Sequence, residues 1–232
     1  MKAIIFGSIG SVIETSELQR DAFNTAFEQH GLNWNWSQPE YQAMLLSSGG
    51  KNRIASFAKS LGQIVDTARL HQTKSAIFLE SLRASPMRPR PGVIQLFENA
   101  KARGMKVGFA TTTEHSTVST LLSSLRSDSG IDFDVTTSRE NGFSAKPSSH
   151  VFDHVLKELA CNPRDAIAIE DNSDGLRSAK AARIWTVGFA GANVSVDDLK
   201  DADLIAVDNI NDAIPSHLLD ALSSNIFPLR TV

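Results

Sequence analysis

Residues 2–11 read KAIIFGSIGS, a short apolar run that stops at Gly7 and continues into a loop containing serine and glycine. An apolar run of this length ended by glycine indicates a buried strand leading into a loop. Similar runs predict further strands at 107–110, 133–136, 166–169, 185–189 and 204–207. From residue 93 onward these runs alternate with helical patterns. Such alternation predicts βαβ units, and therefore an α/β protein built on a parallel sheet.

The stretch between the first two predicted strands breaks this alternation and reads as helical. Its apolar residues recur at helical spacing, and two serine positions have the spacing of a capping box, Ser16 with Gln19 and Ser37 with Glu40. Prolines at positions 86, 89 and 91 then predict a non-helical linker. We therefore expect an all-helical module inserted into the α/β unit. The expected division is 1–15 and 88–232 for the core, and 16–87 for the helical module.

Composition and charge exclude several classes of protein. The chain has 232 residues and a formal net charge of −3, so it offers no basic surface for nucleic acid or an anionic membrane. Its single cysteine, Cys161, excludes an internal disulfide and a cysteine-rich zinc site. No apolar run approaches the roughly 18 residues that span a bilayer, and the opening residues lack a signal-peptide pattern. We expect a cytoplasmic globular protein.

Polar side chains follow several predicted strands at the point where each strand ends. Thr111–Thr113 and the pair Glu170 and Asp171 follow two strands, and Lys146 opens a helix between them. The carboxyl ends of parallel strands meet at one edge of a sheet, where ligands bind. A hydroxyl, an ammonium and two carboxylates together suit a phosphate and a hard divalent cation. Taken singly, these residues are equally typical of helix caps or surface charge.

The order of these segments resembles the haloacid dehalogenase superfamily, and within it the β-phosphoglucomutase-like and CbbY-like sugar-phosphate phosphatases. The resemblance covers essentially the whole chain. The matching segments are KAIIF (2–6), LNWNWS (32–37), GGKNRI (49–54), ATTT (110–113), KP (146–147) and IEDNSDG (169–175). It implies a doubly wound, Rossmann-like core with an inserted all-helical cap, magnesium, and phosphoryl transfer in two steps. In those steps one aspartate of a D-x-D-G loop attacks phosphorus, and a second aspartate serves as acid and base.

The same resemblance implies roles for particular side chains. Phosphate or substrate binding falls to Thr111, Thr112 and Lys146, with Lys51 of the cap meeting the distal part of the substrate. Magnesium binding falls to Asp171, helped by Glu170.

The loop after the first strand departs from the family pattern. Gly7 occupies the nucleophile's position and Ile9 the acid/base position. Loss of a covalent nucleophile costs on the order of 10⁶ in rate, and loss of a general acid/base roughly 10²–10⁴. Strand-like alternation turns Ser8 away from the side that the aspartates would use, and no activating base lies near it in sequence. No intact catalytic residue is therefore expected in this loop.

These observations predict that the protein is a catalytically impaired relative of this family and binds phosphate, sulfate or a small phosphorylated metabolite. Magnesium should bind more weakly than in active relatives, because the first loop offers no carboxylate. Two alternatives remain open. One is an active magnesium-dependent phosphatase that uses unorthodox chemistry on a small phosphorylated sugar, and the other is a structural or partner-binding subunit.

Overall fold

A parallel sheet forms the centre of the molecule. The computed structural model describes residues 2–45 and 49–223, and these residues contain one six-stranded sheet in the order β3-β2-β1-β4-β5-β6. All neighbouring strands run parallel. The strands are β1 Ala3–Phe6, β2 Lys106–Phe109, β3 Val135–Thr136, β4 Ala166–Glu170, β5 Trp185–Phe189 and β6 Leu204–Ala206. The predicted α/β class and doubly wound sheet are confirmed.

Four helices follow β1 before the chain returns to the sheet: α1 Ser16–Gln29, α2 Gln38–Met44, α3 Gly50–Ser60 and α4 Thr67–Ala84. The helices after them are α5 Val93–Ala102, α6 His115–Ser129, α7 His150–Glu158, α8 Ser173–Ala181, α9 Ile210–Ala213 and α10 Ser216–Ser223. An aromatic cluster built around Phe23, Phe27 and Trp36 fills the space between α1, α2, α3 and α4. Phe78 and Leu82 of α4 pack instead with the main core. The residue limits of the cap stay a prediction.

Both faces of the sheet are buried, as expected for a parallel sheet covered by helices on each side. Ile4 and Phe6 point into the main apolar cluster, whereas Ala3 and Ile5 point into a second cluster on the opposite face. This alternation explains why β1 reads as a continuous apolar run.

The strand register brings three loops to one edge of the sheet. Phe6 lies opposite Phe109 on one side and Ile169 on the other. The loops that begin at Gly7 and Ala110, and the end of β4 at Glu170, therefore meet at the same level. This edge is where ligands bind in open parallel sheets.

Two details of the sequence interpretation are wrong. The third strand begins at Val135 rather than at residue 133, because the Asp134 carboxylate accepts the Val107 amide at 2.7 Å and takes the place of a strand carbonyl. Ser16 does not cap α1. The Glu14 carboxylate accepts the Ser16 amide at 2.8 Å, and the helix begins at Ser16 itself. The second capping box, Ser37 with Glu40, is confirmed.

No helix in the described ranges combines the length and the hydropathy needed to cross a bilayer.

One buried guanidinium ties the loops at this edge to the linker that follows α4. Arg90 is 8% exposed and lies over the Phe189 ring, 3.3 Å from its centroid. It donates to the carbonyl oxygen of Gly10 at 2.8 Å, to that of Phe189 at 2.9 Å, and to that of Ala190. The first loop and the loop after β5 are therefore held by the same side chain.

We predict that Arg90→Met lowers the free energy of unfolding by about 2–4 kcal/mol, because buried carbonyl oxygens lose a charged donor. Urea unfolding followed by circular dichroism measures the change. Arg88→Met is the matched control, since Arg88 is exposed in the same linker. Equal stability of the two variants would contradict the assigned role of Arg90.

Candidate active site

The first loop turns sharply after β1. Gly7 donates its amide to the Ile169 carbonyl oxygen at 2.9 Å, and the chain then enters a 3₁₀ turn at Ile9–Ser11. Ile9 is 6% exposed and packs in the main apolar cluster. Positions 7 and 9 therefore present no group that can attack phosphorus or carry a proton.

Ser8 faces the site, so the expectation that it turns away is wrong. Its hydroxyl donates to Asp171 Oδ1 at 2.8 Å and accepts the Ser11 amide at 3.3 Å. The strand ends at Phe6, and Ser8 caps the 3₁₀ turn, so strand-like alternation does not extend to it. The spatial neighbour Asp171 supplies the carboxylate that the local sequence around Ser8 lacks.

Lys146 and Glu170 form a buried ion pair beneath this loop. Their side chains are 7% and 0% exposed, and Lys146 Nζ lies 2.5 Å from Glu170 Oε1. The same ammonium donates to the Gly7 carbonyl oxygen and lies 4.9 Å from the centre of the Phe152 ring. Burial raises the pKa of the Glu170 carboxyl, and the Lys146 charge opposes that rise.

Two glycines make room for the Glu170 carboxylate. A Cβ atom at Gly7 or at Gly175 would collide with it. The carboxylate thus occupies the volume into which any side chain at position 7 would project.

The threonines after β2 form a hydrogen-bonded turn. The Thr111 amide donates to Thr137 Oγ1 at 2.9 Å, and the Thr111 hydroxyl donates to Thr113 Oγ1 at 2.9 Å. Thr111 is buried, whereas Thr112 and Thr113 are partly exposed. These contacts fix the turn beside the first loop.

A cavity of about 470 Å³ lies between these loops and the helices that follow β1. Among the residues expected in the site, those that line it are Gly7, Ile9, Thr111, Thr112, Lys146 and Asp171. Glu170 lies below the cavity and does not line it. Lys51 is exposed on α3 and does not line it either, whereas its neighbours Asn52 and Arg53 do.

The sequence interpretation missed the cationic side chains on the cap side of the cavity. Lys74 of α4 lines it and is 5% exposed, between the rings of Phe23 and Phe78. Its ammonium donates to Gln19 Oε1 at 2.9 Å. Burial, reinforced by the Arg53 charge, lowers the pKa of Lys74 to about 7. Burial also lowers the pKa of His71, another lining residue, and the charge of Lys74 adds to that effect.

A signal for Lys74 exists in the sequence. It stands four residues after Leu70 and four before Phe78, on the apolar face of α4. Lysine is almost never fully buried unless it is paired, so a lysine on an apolar helix face stands out.

Comparison with known proteins assigns the family. A model of the haloacid dehalogenase-like hydrolases matches residues 4–189. The chain belongs to this family. Protein CbbY of Rhodobacter capsulatus is 34% identical over 207 residues, which cover 88% of this chain and 91% of that protein. This likeness places the chain in the CbbY-like and β-phosphoglucomutase-like subgroup of the haloacid dehalogenase-like hydrolases.

Two crystal structures of CbbY from Rhodobacter sphaeroides show how similar the folds are. Each is 32% identical and superposes with a TM-score of 0.77, covering 89% of this chain and 93% of the other. One holds phosphate, and the other, a point variant, holds xylulose-(1,5)bisphosphate.

Haloacid dehalogenase-like hydrolases generally use Mg²⁺, but the donors present in this chain are poorly suited to that ion. Mg²⁺ requires near-octahedral oxygen ligands and is usually bound through one or two carboxylates together with waters and substrate phosphates. Asp171 Oδ1 already accepts the Ser8 hydroxyl and, at 2.6 Å, the Asn172 amide group. Glu170 is buried against Lys146. No group of three or more His, Cys, Asp or Glu side chains suited to a metal occurs in the part of the chain that the structure describes.

We predict that Gly7→Ala destabilises the protein by about 1–3 kcal/mol, because the new methyl group collides with the Glu170 carboxylate in a closed space. Thermal and urea unfolding measure the loss. In a Glu170→Asp background the shorter side chain withdraws from Gly7, and the cost of Gly7→Ala should fall. An unchanged cost in that background would show that Glu170 does not lie beside Gly7.

Proposed function

We propose that this haloacid dehalogenase-like protein binds a small phosphorylated metabolite in the cavity and does not transfer its phosphoryl group through the first loop. The observation that carries the proposal is the lining of the cavity. Thr111, Lys146 and Asp171 line it together, whereas positions 7 and 9 beside them hold glycine and a core isoleucine.

The core side of the cavity suits one phosphate group. The turn at Thr111–Thr113 supplies hydroxyl donors, and Lys146 supplies a nearly buried positive charge. Charge-assisted hydrogen bonds to phosphate oxygens are strong in such a shielded place. The phosphate held by the CbbY structure from Rhodobacter sphaeroides supports this assignment.

The cap side of the cavity suits a second anionic group. Lys74 and Arg53 line it there. Among the described residues Lys74 forms no ion pair, although the charge of Glu114, another lining residue, acts on it from farther away. A ligand with two separated anionic ends would meet a cation at each end. A sugar bisphosphate has this chemistry, and the xylulose-(1,5)bisphosphate held by the same relative supports the choice.

The proposal predicts a specific pattern in calorimetric titrations with inorganic phosphate and with xylulose 1,5-bisphosphate. Lys74→Met should weaken bisphosphate binding tenfold or more, about 1.4 kcal/mol, and leave phosphate binding unchanged. The double variant Lys146→Met/Glu170→Gln removes both charges of the buried pair and should weaken the binding of both ligands.

Lys51→Met is the matched control and should bind both ligands as the unmodified protein does, because Lys51 lies outside the cavity lining. The protein should release no phosphate from the bisphosphate during the titration. Absence of binding of either ligand at millimolar concentration would overturn the proposed function.

One observation favours a second candidate, an active phosphatase with Ser8 as nucleophile. The Ser8 hydroxyl donates to Asp171 at 2.8 Å, which is the geometry of a nucleophile beside a base. In that reaction Ser8 Oγ would bond to phosphorus while the bond from phosphorus to the sugar oxygen breaks. The hydroxyl proton would pass to Asp171 and from there to the departing sugar oxygen. Water would then hydrolyse the phosphoserine, which releases phosphate and restores the Ser8 hydroxyl.

This candidate predicts a phosphoserine intermediate. After incubation with the bisphosphate and acid quenching, intact-mass spectrometry should show one added phosphoryl group, and peptide mapping should place it on Ser8. Ser8→Ala should abolish both the adduct and phosphate release, whereas Ser75→Ala, on the cap side of the same cavity, should retain them. If the unmodified protein shows neither the adduct nor phosphate release, this second candidate is excluded.

A further inference from the structure

We infer that the anion site on the core side of the cavity works without a divalent cation, because the first loop lacks the two carboxylates whose charge such a cation balances. The inference rests on the proposed phosphate binding. It concerns what this chain requires for that binding, which differs from the requirement that its family implies.

The net formal charge of the site supports this inference. The D-x-D-G loop expected for the family carries two carboxylates, and the loop here carries none. The charge removed equals that of one divalent cation. With Glu170, Asp171 and Lys146 retained, the site without a cation has the same net formal charge as a site with both aspartates and the metal. A divalent cation added here would therefore leave an excess of positive charge.

The position of the Lys146 ammonium also supports it. Its ammonium contacts the Gly7 carbonyl oxygen of the first loop and Glu170 at the end of β4. One protein cation thus joins the two segments that carry the family's acidic residues. The surrounding burial fixes that ammonium in place, with 7% of the side chain exposed.

The hydrogen bonds of Asp171 and the burial of Glu170 support it as well. A cation that bound Asp171 would compete with the Ser8 hydroxyl and the Asn172 amide group for the same Oδ1 atom. Glu170 Oε2 is buried without a hydrogen-bond partner, but it lies against Gly175 and the residue does not line the cavity. Glu170 is therefore not presented to a cation entering from the cavity, and a cation at Asp171 Oδ1 has to displace two protein donors.

Two titrations test the inference on the full chain. In the first, Mn²⁺ is added to the protein alone and free Mn²⁺ is followed by electron paramagnetic resonance. We expect no binding up to millimolar concentration. Ser8→Asp is the positive control, because it removes a donor to Asp171 and adds a second carboxylate beside it, so this variant should bind Mn²⁺. Saturable Mn²⁺ binding by the unmodified protein that is lost in Asp171→Asn would overturn the inference.

In the second titration, inorganic phosphate is added in EDTA and in MgCl₂. We expect affinities equal within twofold for the unmodified protein. Lys146→Met removes the internal cation, so its phosphate affinity should rise tenfold or more when Mg²⁺ is present. A tenfold gain from Mg²⁺ in the unmodified protein would also overturn the inference. If phosphate binds in neither buffer, the proposed function fails, and the Mn²⁺ titration alone decides the metal question.

Discussion

The buried ion pair between Lys146 and Glu170 is the constraint on which the site depends. Removing one partner of such a pair leaves an uncompensated buried charge and typically costs about 3–5 kcal/mol. The pair fits only because residues 7 and 175 are glycines, since a Cβ atom at either position would collide with the Glu170 carboxylate. The absence of a side chain at position 7 is therefore part of the packing around this ion pair.

This packing changes which side chain of the first loop faces the cavity. Ile9 is drawn into the main apolar cluster, and Ser8 caps the 3₁₀ turn with its hydroxyl on Asp171. The loop keeps its place at the sheet edge because Arg90 holds the Gly10 carbonyl oxygen. The cavity at the sheet edge is thus lined by a loop whose side chains are redistributed between the core and Asp171.

The sequence predicts the sheet and the strand-end residues well, because both depend on local patterns. Thr111, Lys146 and Asp171 line one cavity as their positions after the apolar runs indicate. The direction of Ser8 does not follow from a strand pattern, since it depends on a 3₁₀ turn capped with Ser11 and on an acceptor, Asp171, that lies 163 positions away. The prediction for Lys51 rests on the resemblance alone, and the helix register instead turns its neighbours Asn52 and Arg53 to the cavity.

Lys74 shows how stability and binding are related on the cap side. Its pKa falls from 10.5 to about 7 in the folded protein, so the unfolded chain holds the proton more tightly. Its burial is therefore without cost above pH about 10.5, and it destabilises the fold increasingly as the pH falls toward about 7, below which the cost is constant. An anionic group bound at this side of the cavity favours the charged lysine and offsets that cost. Ligand binding and protonation of Lys74 thus favour each other, which gives a physical reason for a lysine on the apolar face of α4.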